Sequence, residues 1–127
     1  NGTDDEFKVN RGGTTEEIAM KSDVLEVSNQ TGDGTDAIAV GGKSHIIHRL
    51  DMTSISSTTI SLTGTAETNA TLAIHFHNAS SERVTFPTSM NSIANDGADL
   101  GTINIASSSV LQCYTDDAGV SWWCDDN

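Results

Sequence analysis

The sequence predicts an all-β protein: a β-sandwich or jelly-roll-like head preceded by an extended N-terminal β segment. Three observations carry this. Short runs rich in Ile, Val, Leu and Thr alternate apolar with polar residues, and clusters of Gly, Asn, Asp and Ser separate them. Ser and Thr together number 31 of 127 residues while Lys plus Arg number six, so the Ala/Glu/Lys/Leu/Arg richness of helical proteins is missing. The longest helical candidate, Thr14-Thr15-Glu16-Glu17-Ile18-Ala19-Met20-Lys21, has a Thr cap and two acids in its first turn, and amounts to one or two turns.

Residues 1–42 carry three sparse apolar beats, Phe7-Lys8-Val9, Leu25-Glu26-Val27 and Ile38-Ala39-Val40, each followed by a Gly-rich or acidic turn. Beats of two apolar residues bury too little surface to hold a core alone. They need a partner, most simply copies of the same chain wound side by side, or else the following domain, as an N-terminal meander. The first arrangement makes residues 1–42 a shaft or attachment segment, with Phe7, Val9, Leu25, Val27, Ile38 and Val40 as subunit contacts, and makes residues 43–127 the head.

From Ser44 the alternation is denser. Residues 44–51 offer Ile46, Ile47 and Leu50, and Thr58 to Thr63 place Ile60 and Leu62 on one face. The clearest strand is Thr71 to His77, with Leu72, Ile74 and Phe76 facing in. Arg83 to Phe86 form a short strand stopped by Pro87, and Leu100 to Ile105 alternate again. The chain then closes with a hairpin, Val110 to Tyr114 and Val120 to Trp123, turning through Asp116-Asp117-Ala118-Gly119.

A net charge of −12 repels nucleic acid and anionic lipid, and no apolar stretch is long enough to span a bilayer. The excess is even: residues 1–42 and residues 43–127 each carry nine acids and three bases, so the whole surface is acidic.

Two groups of motifs resemble a known family. Phe7-Lys8-Val9-Asn10-Arg11-Gly12-Gly13 is similar to the Phe-Lys-Val-Asn-x-x-Gly beat of tailed-virus fibre shafts. The succession His77-Asn78-Ala79-Ser80, Val84-Thr85-Phe86-Pro87, Ile103-Asn104-Ile105-Ala106-Ser107 and Tyr114-Thr115-Asp116-Asp117-Ala118-Gly119-Val120-Ser121-Trp122 resembles the β-sandwich modules of phage or archaeal-virus fibre tips and capsid decoration proteins. It covers most of residues 70–124 and, more loosely, 7–42. This chain has Ala118-Gly119 where the module often has a Gly pair, and it adds Cys113 and Cys124, which the pattern does not require. The resemblance implies an extracellular, homotrimeric virion surface protein that binds another virion protein or a host surface glycan or protein.

Cys113 and Cys124 flank the last hairpin. A two-residue turn at Ala118-Gly119 sets them opposite one another, whereas a three-residue turn with Gly119 left-handed puts them one residue out of step on opposite faces. A disulfide and two buried free thiols both fit. Trp122 and Trp123 are neighbours on one strand, so one points in and the other out; with Tyr114 they are the candidate ligand or partner contacts. His75 and His77 share a face about 7 Å apart, a weak metal candidate, while His45 and His48 read as polar linker residues. Asp33-x-x-Asp36 and Asp96-x-x-Asp99 are weak Ca²⁺ candidates without the twelve-residue loop. No catalytic set or cofactor motif emerges, so a non-enzymatic protein is expected. Beside the virion reading stand a secreted cell-surface filament subunit that polymerises by donating its N-terminal strand, and a calcium-dependent carbohydrate-binding module.

Overall fold

The computed structural model describes residues 8–11, 14–17, 23–27, 30 and 32–125, with side chains described at Gln30 and from residue 32 onward. Among the described residues every regular element is a strand: β1 (Lys8–Arg11), β2 (Thr14–Glu17), β3 (Asp23–Val27), β4 (Gly34–Ala39), β5 (His45–Asp51), β6 (Ser57–Thr63), β7 (Ala70–His77), β8 (Glu82–Thr85), β9 (Met90–Ser92), β10 (Thr102–Ile105), β11 (Ser109–Thr115) and β12 (Trp122–Asp125). The protein is all-β. Thr14–Glu17, expected to open a short helix, is instead a strand paired antiparallel with β1 in a two-stranded sheet of its own. Its two β-branched threonines suit a pleated strand better than a helix turn. Phe7 and residues 18–21 lie outside the described residues.

The other strands form two sheets, a six-stranded one in the order β3-β5-β7-β11-β12-β9 and a four-stranded one in the order β10-β8-β6-β4. From β3 to β8 the chain alternates between them, and successive strands within each sheet run parallel. Paired residues are 22 apart for Asp23 and His45, 24 for Gly34 and Thr58, and 26 for His45 and Thr71 and for Thr58 and Val84. A parallel pair needs a long return between its strands, commonly a helix. Here that return is a strand of the opposite sheet, so the chain winds as a coil.

Alternation then assigns the faces. Ile46, His48 and Leu50 of β5 and Leu72, Ile74 and Phe76 of β7 point inward, where they meet Ile38, Ile60 and Val84 of the four-stranded sheet in one buried cluster. Phe76 meets Phe86 edge-on at 6.4 Å across this layer. Each such side chain contributes roughly 1.5–3 kcal/mol when fully buried. Ile38 and Val40, expected at contacts between chains, are 0% and 2% exposed within this one. Strands β3 and β4 are likewise hydrogen-bonded into the two main sheets, so a boundary after residue 42 falls inside the coil. Leu25 and Val27 pair with Ile47 and Arg49, and Val9 with Glu16.

His48, expected in a polar linker, is also in the core. Its Nε2 lies 2.6 Å from Asp36 Oδ2, and both side chains are buried. The contact runs from the six-stranded sheet to the four-stranded one, a polar tie in a mainly apolar layer.

The turns of the coil are tightly stacked. Gly64 (φ +86°) follows β6 and lies against Gly41, which follows β4; a Cβ on Gly64 would come within 2.7 Å of the Gly41 Cα. At the end of β5, Asp51 Oδ1 accepts from the Thr53 hydroxyl (2.6 Å), the Thr53 amide (3.0 Å) and the Asn78 side-chain amide (3.0 Å). These donors, led by the Thr53 hydroxyl and then the Asn78 amide, pull the Asp51 carboxyl down from 3.8 to about 2.

Two outcomes follow from this winding. Gly64→Ala combines an unfavourable left-handed backbone with a clash against neighbouring backbone that cannot rotate away. It should lower unfolding free energy by about 3 kcal/mol in urea titration, with Gly42→Ala, which meets only the backbone term, costing less. For Asp51, the folded carboxyl is depressed, so its contribution is present above the unfolded value near 3.8 and is lost as pH falls towards about 2. The wild-type melting temperature should drop more steeply between pH 4 and pH 2 than that of Asp51→Asn; equal slopes would refute the assignment.

Candidate functional site

The C-terminal hairpin positions the aromatic residues singled out in the sequence. Ala118 (φ 62°) and Gly119 (φ 84°) are both left-handed, the backbone of a turn that matches the twist of its flanking strands. Asp117 fastens the turn by accepting from the Thr115 hydroxyl (2.7 Å) and the Ser121 amide (2.9 Å), and these donors, the Ser121 amide foremost, hold its carboxyl below the usual range. The resulting register sets Gln112 opposite Asp125, Cys113 opposite Cys124 and Tyr114 opposite Trp123. Cys113 and Cys124 are joined in a disulfide on the buried face. On the other face, Tyr114 is 48% exposed and Trp123 half-buried, with the aromatic ring of Trp123 against Gly97. Trp122 points inward, 0% exposed, and its indole nitrogen finds no hydrogen-bond partner among the described residues. Of the three expected contact residues, the structure brings Tyr114 and Trp123 together on the surface and commits Trp122 to the core.

Sequence reasoning missed what lies beside Tyr114. The outer face of β7 carries the small residues Thr71 and Ala73, flanked by His45 and Ile47 of β5 on one side and by Tyr114 and Gln112 of β11 on the other. Small side chains between larger ones make a trough along the strand, and Ile93 and Asp125 complete its lining. Its volume is about 460 Å³. Ile47 and Ile93 are 42% and 50% exposed there, and His45 Nδ1 and Thr71 Oγ1 share a hydrogen bond of 2.9 Å in one wall. The signal for it was the pairing partner of each strand, which alternation does not encode.

The weaker candidates separate. His75 and His77 share one face with ring centroids 6.5 Å apart and nearly parallel planes. Asp33 and Asp36 point apart: Asp33 accepts from the Ser56 and Ser57 amides, which lower its carboxyl, while Asp36 faces His48. Among the described residues no group of three or more His, Cys, Asp or Glu gathers where it could hold a metal ion.

A second feature is the edge of the four-stranded sheet. The Val40 amide donates to Thr63 O, so residues 36, 38 and 40 turn their backbone groups towards β6, and Thr35, Ala37 and Ala39 turn theirs outward. Lys43 Nζ occupies the Ala39 carbonyl at 2.9 Å. Among the described residues no strand pairs with the outward side of β4. By contrast, β9 at the end of the other sheet is covered, since Ser92 N donates to Ala98 O and Leu100 N donates to Met90 O.

Compared with protein-family models, curated proteins and solved structures, the chain matches none. Among the described residues no helix is long and apolar enough to cross a membrane.

The disulfide closes an eleven-residue separation directly beneath the aromatic pair. Replacing Cys113 and Cys124 together by Ala should cost about 2–4 kcal/mol. In thermal melts a reductant should lower the wild-type midpoint and leave that of the double variant unchanged.

Proposed function

We propose that this is a non-enzymatic extracellular surface protein that works by self-assembly, one copy completing the four-stranded sheet of the next. The observation that carries the reading is a pair of unfinished elements on one chain. Strand β4 ends its sheet with outward backbone groups, and β1 with β2 forms a two-stranded ribbon belonging to neither main sheet. A lone ribbon is marginally stable in water, and an uncovered edge is a template for another strand. The outward residues of β4 are Thr35, Ala37 and Ala39, with no Pro and no charge among them, and the Lys43 ammonium covers the Ala39 carbonyl at one end. Donation of the N-terminal ribbon from one copy to β4 of another satisfies both, and because donor and acceptor differ, the contact propagates into a filament. A disulfide, typical of oxidising compartments, and an acidic surface fit a protein working outside the cell. On this reading the two sheets are a sandwich-type head whose first half is wound as a parallel coil.

The virion-surface alternative draws on the motif succession of residues 70–124, which here runs unbroken through β7 to β12. It calls for a closed homotrimer presented on a fibre tip or capsid. Ala37→Pro discriminates. The Ala37 amide faces outward, so proline removes no ladder bond within the chain yet blocks a strand arriving at β4. Negative-stain images and mass photometry of the wild type should show extended oligomers, and Ala37→Pro should be a monomer with an unchanged circular dichroism spectrum. A wild type that stays monomeric at high micromolar concentration would sink the assembly reading, and a discrete trimer insensitive to Ala37→Pro would favour the virion alternative.

A further inference from the structure

We propose that the trough along β7 binds a neutral oligosaccharide. It lies on the outer face of the six-stranded sheet, away from the free edge of β4, and so stands independently of the assembly reading. Its volume of about 460 Å³ falls in the range of small-ligand sites, roughly 300–1,000 Å³, and suits a short oligosaccharide.

The chemistry of the lining narrows the ligand class. Ile47, Ala73 and Ile93 give the trough apolar lining beside the hydrogen-bonded His45–Thr71 pair, and the Tyr114 ring stands half-exposed along one wall. Polar groups sit at intervals along the rims: the Gln112 amide and Asp125 carboxylate in one cross-strand row, the Tyr114 hydroxyl in the next. A purely apolar occupant, such as an acyl chain, would strip water from the exposed Gln112 amide without replacing its hydrogen bonds. A peptide that binds by strand addition needs a sheet edge, which the face of a sheet does not offer. A sugar ring meets both demands, with a C–H face for the aromatic and aliphatic surface and hydroxyls around its rim for the Gln112 amide. Charge restricts it further. Among the described residues no Lys or Arg lines the trough, and the chain carries a net charge of −12, so sialylated or sulfated glycans are disfavoured.

The disulfide gives the site its rigidity. Cys113 and Cys124 lie between the Gln112–Asp125 and Tyr114–Trp123 rows in the register, so their bond fixes β11 against β12 where the recognition groups stand.

The test is an array of cello-, manno-, galacto- and N-acetylchito-oligosaccharides of two to six units, printed beside sialylated and sulfated glycans, with hits titrated by two-dimensional NMR. The expected result is binding to at least one neutral series, with the Gln112 side-chain amide signals moving on titration. Tyr114→Ala should weaken that binding at least tenfold, and Tyr114→Phe, which keeps the ring, should stay within about threefold of wild type. Both changes are on an exposed side chain, and an unchanged thermal midpoint confirms that the variants fold. Binding only to acidic glycans, binding to no glycan, or equal binding by Tyr114→Ala would each overturn the proposal.

Discussion

In a parallel ladder, two strands can lie side by side only if the chain between them travels back to the same end. This protein makes that return with a strand rather than a helix, and much of the architecture is a consequence. Because each return leg is itself a strand, two sheets grow together as β3 to β8 are laid down, and their inner faces share one core. Turns that follow equivalent strands must stack, which is why the backbone of Gly64 lies against that of Gly41. The same winding brings Asp36 on β4 across from His48 on β5, linking consecutive legs of one turn by a buried polar contact. Such a pair adds little net stability over apolar residues of the same size, but losing one partner strands the other in the core, so it opposes any slip in register.

A coil of this kind also explains how a chain with only 35% hydrophobic residues closes a core. One residue in two along each inner strand is enough, because the opposing layer supplies the other half of the contact. Many outward positions go to polar side chains such as Arg49, Asp51 and Thr59, which cover the sheets without competing for the interior. Beyond β8 the winding gives way: β10 joins β8 and β11 joins β7 antiparallel, while β12 lies antiparallel to β11 and parallel to β9. The disulfide and the Asp117 turn then hold the last hairpin against the stack.

Most strands from Ser44 onward were legible in the sequence because a half-buried strand writes its period of two into the pattern; the three-residue β9 is too short to show one and was missed. So was the split of Trp122 and Trp123 between two faces, which follows from adjacency alone. What the pattern does not hold is who pairs with whom. Ile38 and Val40 read as too sparse to be core because their burial comes from β6 and the opposite sheet, whose pairing no local window records. His48 read as a linker residue for the same reason: its partner Asp36 belongs to a different strand in a different layer. Two turn geometries were open for the last hairpin, and the choice fell to Ala118, a non-glycine residue held left-handed, a conformation that residue type does not advertise. The trough is the extreme case, since Thr71 and Ala73 form a depression only once β5 and β11 are known to flank them.

These dependencies separate what the molecule can do with its edge from what it can do with its face. The edge of β4 is a backbone feature, fixed by where the coil begins and indifferent to most side chains. The trough is a side-chain feature, fixed by the lateral order β5-β7-β11-β12 and by the disulfide that pins the last two strands. A neighbour added at β4 extends the four-stranded sheet in its own plane, whereas the trough opens from the outer face of the other sheet. Occupying one site therefore leaves the other uncovered. Every copy in the proposed assembly would carry its own trough, and sites of modest individual affinity repeated along one object gain avidity without any new contact. Recognition by many shallow sites asks less of each than a single deep pocket does, and that matches an open trough on a flat sheet.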